Sequence, residues 1–149
     1  MAPPTSSPTP PLRARLEEIG RKVGAQEGAH QAALGDARRR AESLQHEITD
    51  ALAGFHAAAA ASGAPHLQID VSPIRLDDKH VRAVEFELRR GRHVAIVTVK
   101  SRGDVTLVGP FRAGKTEGPC LTFPFSAERE LADALGGFLE RFLDDAVTP

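Results

Sequence analysis

The sequence predicts an α+β fold. A long, coiled-coil-like N-terminal helix leads into a four- to five-stranded antiparallel meander, and a C-terminal amphipathic helix packs on one sheet face. Three observations carry this. From Leu12 to about Ser62, apolar or small residues recur at steps of 4 and 3. From His66 the period falls to 2, the signature of half-buried strands. After Ser126 the helical spacing returns. The implied divisions are a disordered Pro-rich tail at 1–11, a helix over 12–62 that serves as an oligomerisation or partner-binding segment, and a small α+β globular domain over 63–149.

Residues 1–11 read MAPPTSSPTPP and hold five of the eleven prolines. Such a segment has no apolar surface to offset its ordering entropy, so a polyproline-type or disordered tail is expected. Pro8, Pro11 and Arg13 also spell P-x-x-P-x-R, the pattern read by SH3-type grooves, but a solvated leader with proline at a helix start is the favoured reading.

The helical seam runs Leu12, Leu16, Ile19, Val23, then through the polar Glu27 and His30 to Leu34, Ala37, Ala41, Leu44, Ile48, Leu52, Phe55 and Ala59. Its mean step is near 3.6, so it is helical without the strict heptad that forces a supercoil. Gly63 and then Pro65 supply the stop. A continuous helix of about 50 residues, at ~1.5 Å per residue, would span roughly 75 Å. That is more than a small domain can cover, which predicts a partner helix. Leu16, Ile19, Val23, Leu34, Leu44, Ile48, Leu52 and Phe55 are its candidate interface. A hairpin broken at Gly35-Asp36 is the alternative. The seam stays in phase across that site, and Arg38-Arg39-Arg40 would crowd the positive end of a new helix, so continuity is favoured. Gly20, Gly24 and Gly28 form a stripe that serves either close helix approach or local fraying.

In the second half, Leu67, Ile69 and Val71 alternate with polar residues, and Pro73 shifts the phase to Ile74 and Leu76, which implies a bulge or an edge strand. Asp77-Asp78-Lys79 reads as a turn. Val84, Phe86 and Leu88 alternate with charged neighbours. Val94 to Val99 is apolar on both sides, as a central strand covered on both faces would be. Val105 to Val108 and Cys120 to Phe123 complete the set, and connections this short require antiparallel neighbours. Ser126 is the expected cap of the last helix, with Glu128 and Glu130 complementing its dipole. Leu131, Leu135, Phe138, Leu139, Phe142 and Leu143 form its apolar stripe. One helix covers one face; if Val94 and Ile96 face it, then Ala95, Val97 and Val99 await cover from the long helix, a second copy or another protein.

Composition narrows function. The 149 residues carry 19 Lys and Arg against 20 Asp and Glu, a net charge of −1, which excludes a histone-like polycation. The single Cys excludes a disulfide framework and a Cys-based zinc finger. No apolar run approaches the roughly 20 residues of a membrane-spanning helix, and no secretory leader opens the chain, so a cytoplasmic protein without membrane insertion is expected. Arg outnumbers Lys 15 to 4, as in GC-rich bacterial genomes.

Gly109-Pro110-Phe111-Arg112-Ala113-Gly114-Lys115-Thr116 matches G-x-x-x-x-G-K-[ST] in full. A phosphate-binding loop, however, must open a helix whose N–H groups face the phosphates. Here Glu117-Gly118-Pro119 follows, and proline breaks the helix at once. The segment therefore reads as a surface loop, and nucleotide hydrolysis is the least favoured function. His46 and Asp50 share a helix face but leave a zinc site short of ligands. Cys120 has no activating neighbour and reads as a buried small hydrophobe. No catalytic residue, metal or cofactor is assigned.

Residues 1–62 are neutral, 63–125 carry +3 and 126–149 carry −4. Arg89, Arg90, Arg92 and Lys115 are the candidate anion-binding groups, and Lys100 and Arg102 cluster at the opposite turn. The leading expectation is a non-enzymatic homodimeric adaptor, scaffold, chaperone or regulator that binds itself or another protein through the helix and the open sheet face. The alternative is a nucleic-acid or anion binder using the basic sheet-end loops. No Tyr or Trp is present to stack on bases.

Overall fold

The structure is a computed structural model that describes residues 8–77, 82–114 and 118–147. Its elements are α1 (Leu12–Ala61), β1 (Asp70–Val71), β2 (Arg75–Leu76), β3 (Ala83–Arg90), β4 (His93–Lys100), β5 (Asp104–Arg112), β6 (Cys120–Pro124) and α2 (Glu128–Val147). The architecture is α+β, with a long N-terminal helix, an antiparallel sheet and a C-terminal helix. The tail at 1–7, the turn at Asp78-Lys79, and Lys115 and Thr116 lie outside the described residues.

α1 runs through Gly35-Asp36 without a break for 50 residues. Its C-terminus closes as the sequence implies. Gly63 has φ +98°, a conformation that costs glycine nothing. The Ala64 N–H donates to the Ala59 carbonyl at 2.8 Å and the Gly63 N–H to Ala60 at 3.1 Å. These two bonds are the Schellman pair that satisfies the last orphan carbonyls.

By compactness the chain divides at a point inside this helix, into Met1–Ala32 and Ala33–Pro149. In the first unit none of the described residues is buried. The second unit contains residues 33–61 of α1, the whole sheet and α2.

The sheet order is β1-β3-β4-β5-β6, with β2 also paired to β3, and every pairing is antiparallel. β1 and β2 are two pieces of one edge, interrupted where Pro73 removes a donor. Ser72 repairs that gap. Its N–H donates to the Glu87 carbonyl and its Oγ accepts the Glu87 N–H, both at 2.9 Å. Gln45 of α1 then donates to the Ser72 carbonyl at 2.8 Å.

Register places Val84 opposite Val99, Phe86 opposite Val97 and Leu88 opposite Ala95. Val105 and Leu107 of β5 continue those rows. These eight residues form one apolar face, each no more than 3% exposed. Ala95, Val97 and Val99 therefore face the helices, and Val94 and Ile96 lie on the other side. This reverses the facing assumed from sequence, because a strand apolar on both sides carries no period from which to set its phase.

Both helices cover that face. Ala37, Ala41, Ile48 and Leu52 of α1 join Leu131, Leu135, Phe138, Phe142 and Ala146 of α2 in the same core. The one-helix-per-face expectation is corrected by width. Five strands about 4.8 Å apart exceed the roughly 10 Å breadth of one helix. Phe86, Phe138 and Phe142 are at most 1% exposed, and burying each contributes up to about 3 kcal/mol.

α2 starts one residue later than its expected cap. The Leu131 N–H donates to the Ala127 carbonyl at 2.9 Å, so Ala127 holds the cap position and Ser126 precedes it.

Candidate functional site

Among the described residues, the four most exposed large apolar side chains sit on the first turns of α1. Leu12, Leu16, Ile19 and Val23 are 68%, 56%, 56% and 55% exposed. Their 4-3-4 spacing puts them on one helix face. Ion pairs flank them: Arg13 with Glu17 at 3.0 Å and Arg21 with Glu18 at 3.0 Å. Exposed pairs of this kind help the helix slightly and bind nothing by themselves. A Cβ added at Gly20, Gly24 or Gly28 would meet no atom within 4 Å.

The eight seam positions therefore divide. Leu16, Ile19 and Val23 are open, and Leu34 is half-buried. Ile48 and Leu52 are in the chain's own core, and Leu44 and Phe55 pack against it. Periodicity alone has no means of separating these sets, because both lie on the same helical phase.

The four candidate anion-binding residues do not converge. Arg89 lies 3.6 Å from Glu87. Arg90 donates to the Ala146 carbonyl at the end of α2, at 2.8 Å. Arg92 is an exposed turn residue whose carbonyl accepts the Ala113 N–H. Lys115 lies outside the described residues. Adjacent strand residues point to opposite faces, so Arg89 and Arg90 are separated by their own sequence spacing.

No protein family, curated protein or solved structure matches the chain.

The GPFRAGKT segment takes strand rather than cradle geometry as far as it is described. Gly109 to Arg112 belong to β5, with Phe111 opposite Val94 and Arg112 opposite His93. Gly109 sits at a register shift with φ +112° and donates to the Pro119 carbonyl at 2.7 Å. Gly118 and Pro119 lead into the antiparallel strand β6, not into a helix.

The sheet face turned from the helices carries Glu85, Thr98, Thr106 and Thr122 in one row and Glu87, Ile96, Val108 and Cys120 in the next. Thr106 and Thr122 bond through their hydroxyls at 3.1 Å. Arg75 bridges Glu85 at 3.1 Å and Glu87 at 3.5 Å. Partial burial alone would lower its pKa. The hydrogen bond to Glu85, with the charges of Glu85 and Glu87, outweighs that and raises it, so this guanidinium stays charged. Cys120 is exposed, not the buried hydrophobe expected, because it opens an edge strand.

At one end of this face is a pocket of about 290 Å³, lined by Asp77, Arg82, Ala83, Thr98, Lys100, Ser101 and Arg102. The sequence signal for it was the Lys100 and Arg102 pair. Arg82 and Thr98 joined only through the β3–β4 register, in which Ala83 stands opposite Lys100.

His46 and Asp50 are both exposed. Among the described residues no three His, Cys, Asp or Glu side chains come together to hold a metal. No described helix is long and apolar enough to cross a membrane.

Proposed function

We propose that the protein is a non-enzymatic interaction module that forms a homodimer by pairing the first turns of α1 from two copies, side by side and parallel. The observation that carries this is the exposed stripe of Leu12, Leu16, Ile19 and Val23. A helix face of this kind is stabilised by burial against a second apolar face.

Charge favours a second copy of the chain in parallel register. In heptad terms Leu12 and Ile19 fall at d, Leu16 and Val23 at a, Arg13, Gly20 and Glu27 at e, and Arg15 and Lys22 at g. Parallel helices oppose g with the e of the next heptad on the partner helix. That sets Lys22 against Glu27 and Arg15 against Gly20. Antiparallel helices oppose g with g, and would set Arg15 against Lys22, like charge on like. Two heptads make a modest interface, so the dimer is concentration-dependent. In this reading the protein acts as an adaptor or regulator, with the rest of the molecule carried in duplicate.

The test is oxidative crosslinking of Leu12→Cys in a Cys120→Ala background. In a parallel dimer the two introduced thiols lie at one level and form a disulfide. In an antiparallel dimer Leu12 lies level with Val23, about 16 Å along the axis from the other Leu12. That is beyond disulfide reach, and only a mixture of Leu12→Cys and Val23→Cys chains would crosslink. Crosslinking of the mixture alone overturns the orientation, and crosslinking of neither overturns the dimer.

A further inference from the structure

The pocket at the β4–β5-turn end of the sheet has the make-up of an anion site. Of the seven described residues that line it, three are cationic, Arg82, Lys100 and Arg102, and two are hydroxylic, Thr98 and Ser101. Arg102 is held through Nε by Asp104 at 2.7 Å. Asp77, the one carboxylate among the described lining residues, is engaged in an interaction of its own. Among the described residues no ion pair engages Arg82 or Lys100. Lys100 is half-buried, its stem packed on the sheet and its ammonium without a carboxylate partner among the described residues. Such an arrangement raises the local concentration of anions, since a concave wall of low dielectric focuses the field.

The hydroxyl of Thr98 sharpens the point. Thr98 lines the pocket; no described residue bonds its hydroxyl, which is open to solvent and not a buried atom left unsatisfied. A hydroxyl donor in the same pocket as cationic side chains is what an oxyanion needs. The backbone that presents these groups is itself fixed. The Ser101 N–H donates to the Arg82 carbonyl at 2.7 Å, the Gly103 N–H to the Lys100 carbonyl at 3.0 Å, and the Asp77 N–H to the Ala83 carbonyl at 3.0 Å.

We infer that this pocket binds a phosphoryl group, as inorganic phosphate or as a small phosphomonoester. The donors come from the start of β3, the end of β4 and the turn after it, and three cations beside two hydroxyls suit a multiply charged phosphoryl group better than a singly charged carboxylate. The volume is just below the roughly 300–1,000 Å³ of ordinary ligand pockets, which limits the organic part to a small one resting on Ala83. The site is independent of the α1 stripe, and neither proposal needs the other.

The experiment is isothermal titration calorimetry of the full chain with inorganic phosphate and with phenyl phosphate, at constant ionic strength. Binding of either probe is expected to weaken about tenfold or more in Lys100→Gln and in Arg82→Gln, the loss of a charge-assisted bond. Thr98→Val, which keeps shape and loses the hydroxyl, is expected to weaken it as well, and supplies the test if a charge variant fails to fold. Arg92→Gln, at the opposite end of the sheet, leaves the affinity unchanged. Tighter binding of phenyl phosphate assigns the ester, and equal binding assigns the free ion. No heat with either probe overturns the site. So does unchanged affinity in Lys100→Gln and Thr98→Val, or a loss in Arg92→Gln as large as in Lys100→Gln. A single-stranded oligonucleotide that binds more tightly than phenyl phosphate and depends on Arg92 would also overturn it, in favour of an extended nucleic-acid surface.

Discussion

The guanidinium of Arg90 donates to the main-chain carbonyl of Ala146 at 2.8 Å. α2 has no basic side chain in its own last turn, so a residue distant in sequence supplies the positive charge that the helix C-terminus favours. Arg90 is thereby withdrawn from the basic cluster in which sequence placed it. Replacing Arg90 with Ala is expected to cost about 1–2 kcal/mol, read as a lower urea midpoint with unchanged slope. Arg92→Ala, on the exposed turn, is expected to change it by less than about 0.5 kcal/mol.

A second long-range bond ties α1 to the edge of the sheet. The Ile69 N–H donates to Nε2 of His56 at 2.9 Å, and Ile69 is only 6% exposed. His56→Ala would leave that donor without a partner, at an expected cost of about 1–3 kcal/mol. Amide hydrogen exchange at Ile69 reports it directly. Loss of protection there is expected, and protection equal to that of the parent chain would contradict this role.

Ser72 holds the interrupted edge through its hydroxyl, which accepts the Glu87 N–H. In Ser72→Ala the backbone bond from Ser72 to Glu87 remains and the second is lost. The expected result is faster exchange at the Glu87 amide and a loss of about 1 kcal/mol, with the β3–β4 amides unaffected.

Gly109 is where the phosphate-loop match begins, and its glycine has a structural reason. A Cβ there would lie 3.1 Å from the Val94 carbonyl oxygen and 3.3 Å from the Ala95 Cα. The positive φ adds strain for any other residue. Gly109→Ala is expected to destabilise the fold by about 1–3 kcal/mol, as seen in thermal or urea unfolding.

Local physics explains what was legible beforehand. Gly63 announces a helix end because an achiral residue tolerates positive φ, and the α2 stripe from Leu131 to Phe142 announces a buried face because its period is unambiguous. The Pro73 break was readable because proline lacks a donor. The facing of β4 was not, since Val94 to Val99 offers an apolar residue at every position. The shared coverage by two helices was also hidden, because sheet width appears only once strands pair. His56 and Ser72 carry no sequence signal for their roles; each becomes a clamp only through a partner 13 or 15 residues away. Lys100 and Arg102 were visible as a charged turn, whereas Thr98 and Arg82 needed the register to reach them.

The central claim is that the α1 stripe joins two copies of the chain. Sedimentation equilibrium over a wide concentration range tests it most directly, with the parent protein beside a Leu16→Asp/Ile19→Asp variant. Both positions are exposed, so the variant leaves the core intact, and circular dichroism verifies that. The parent is expected to approach twice the 15.9 kDa chain mass as concentration rises, while the variant stays at one chain mass throughout. A parent that remains at one chain mass, or a variant that associates as the parent does, would contradict the account.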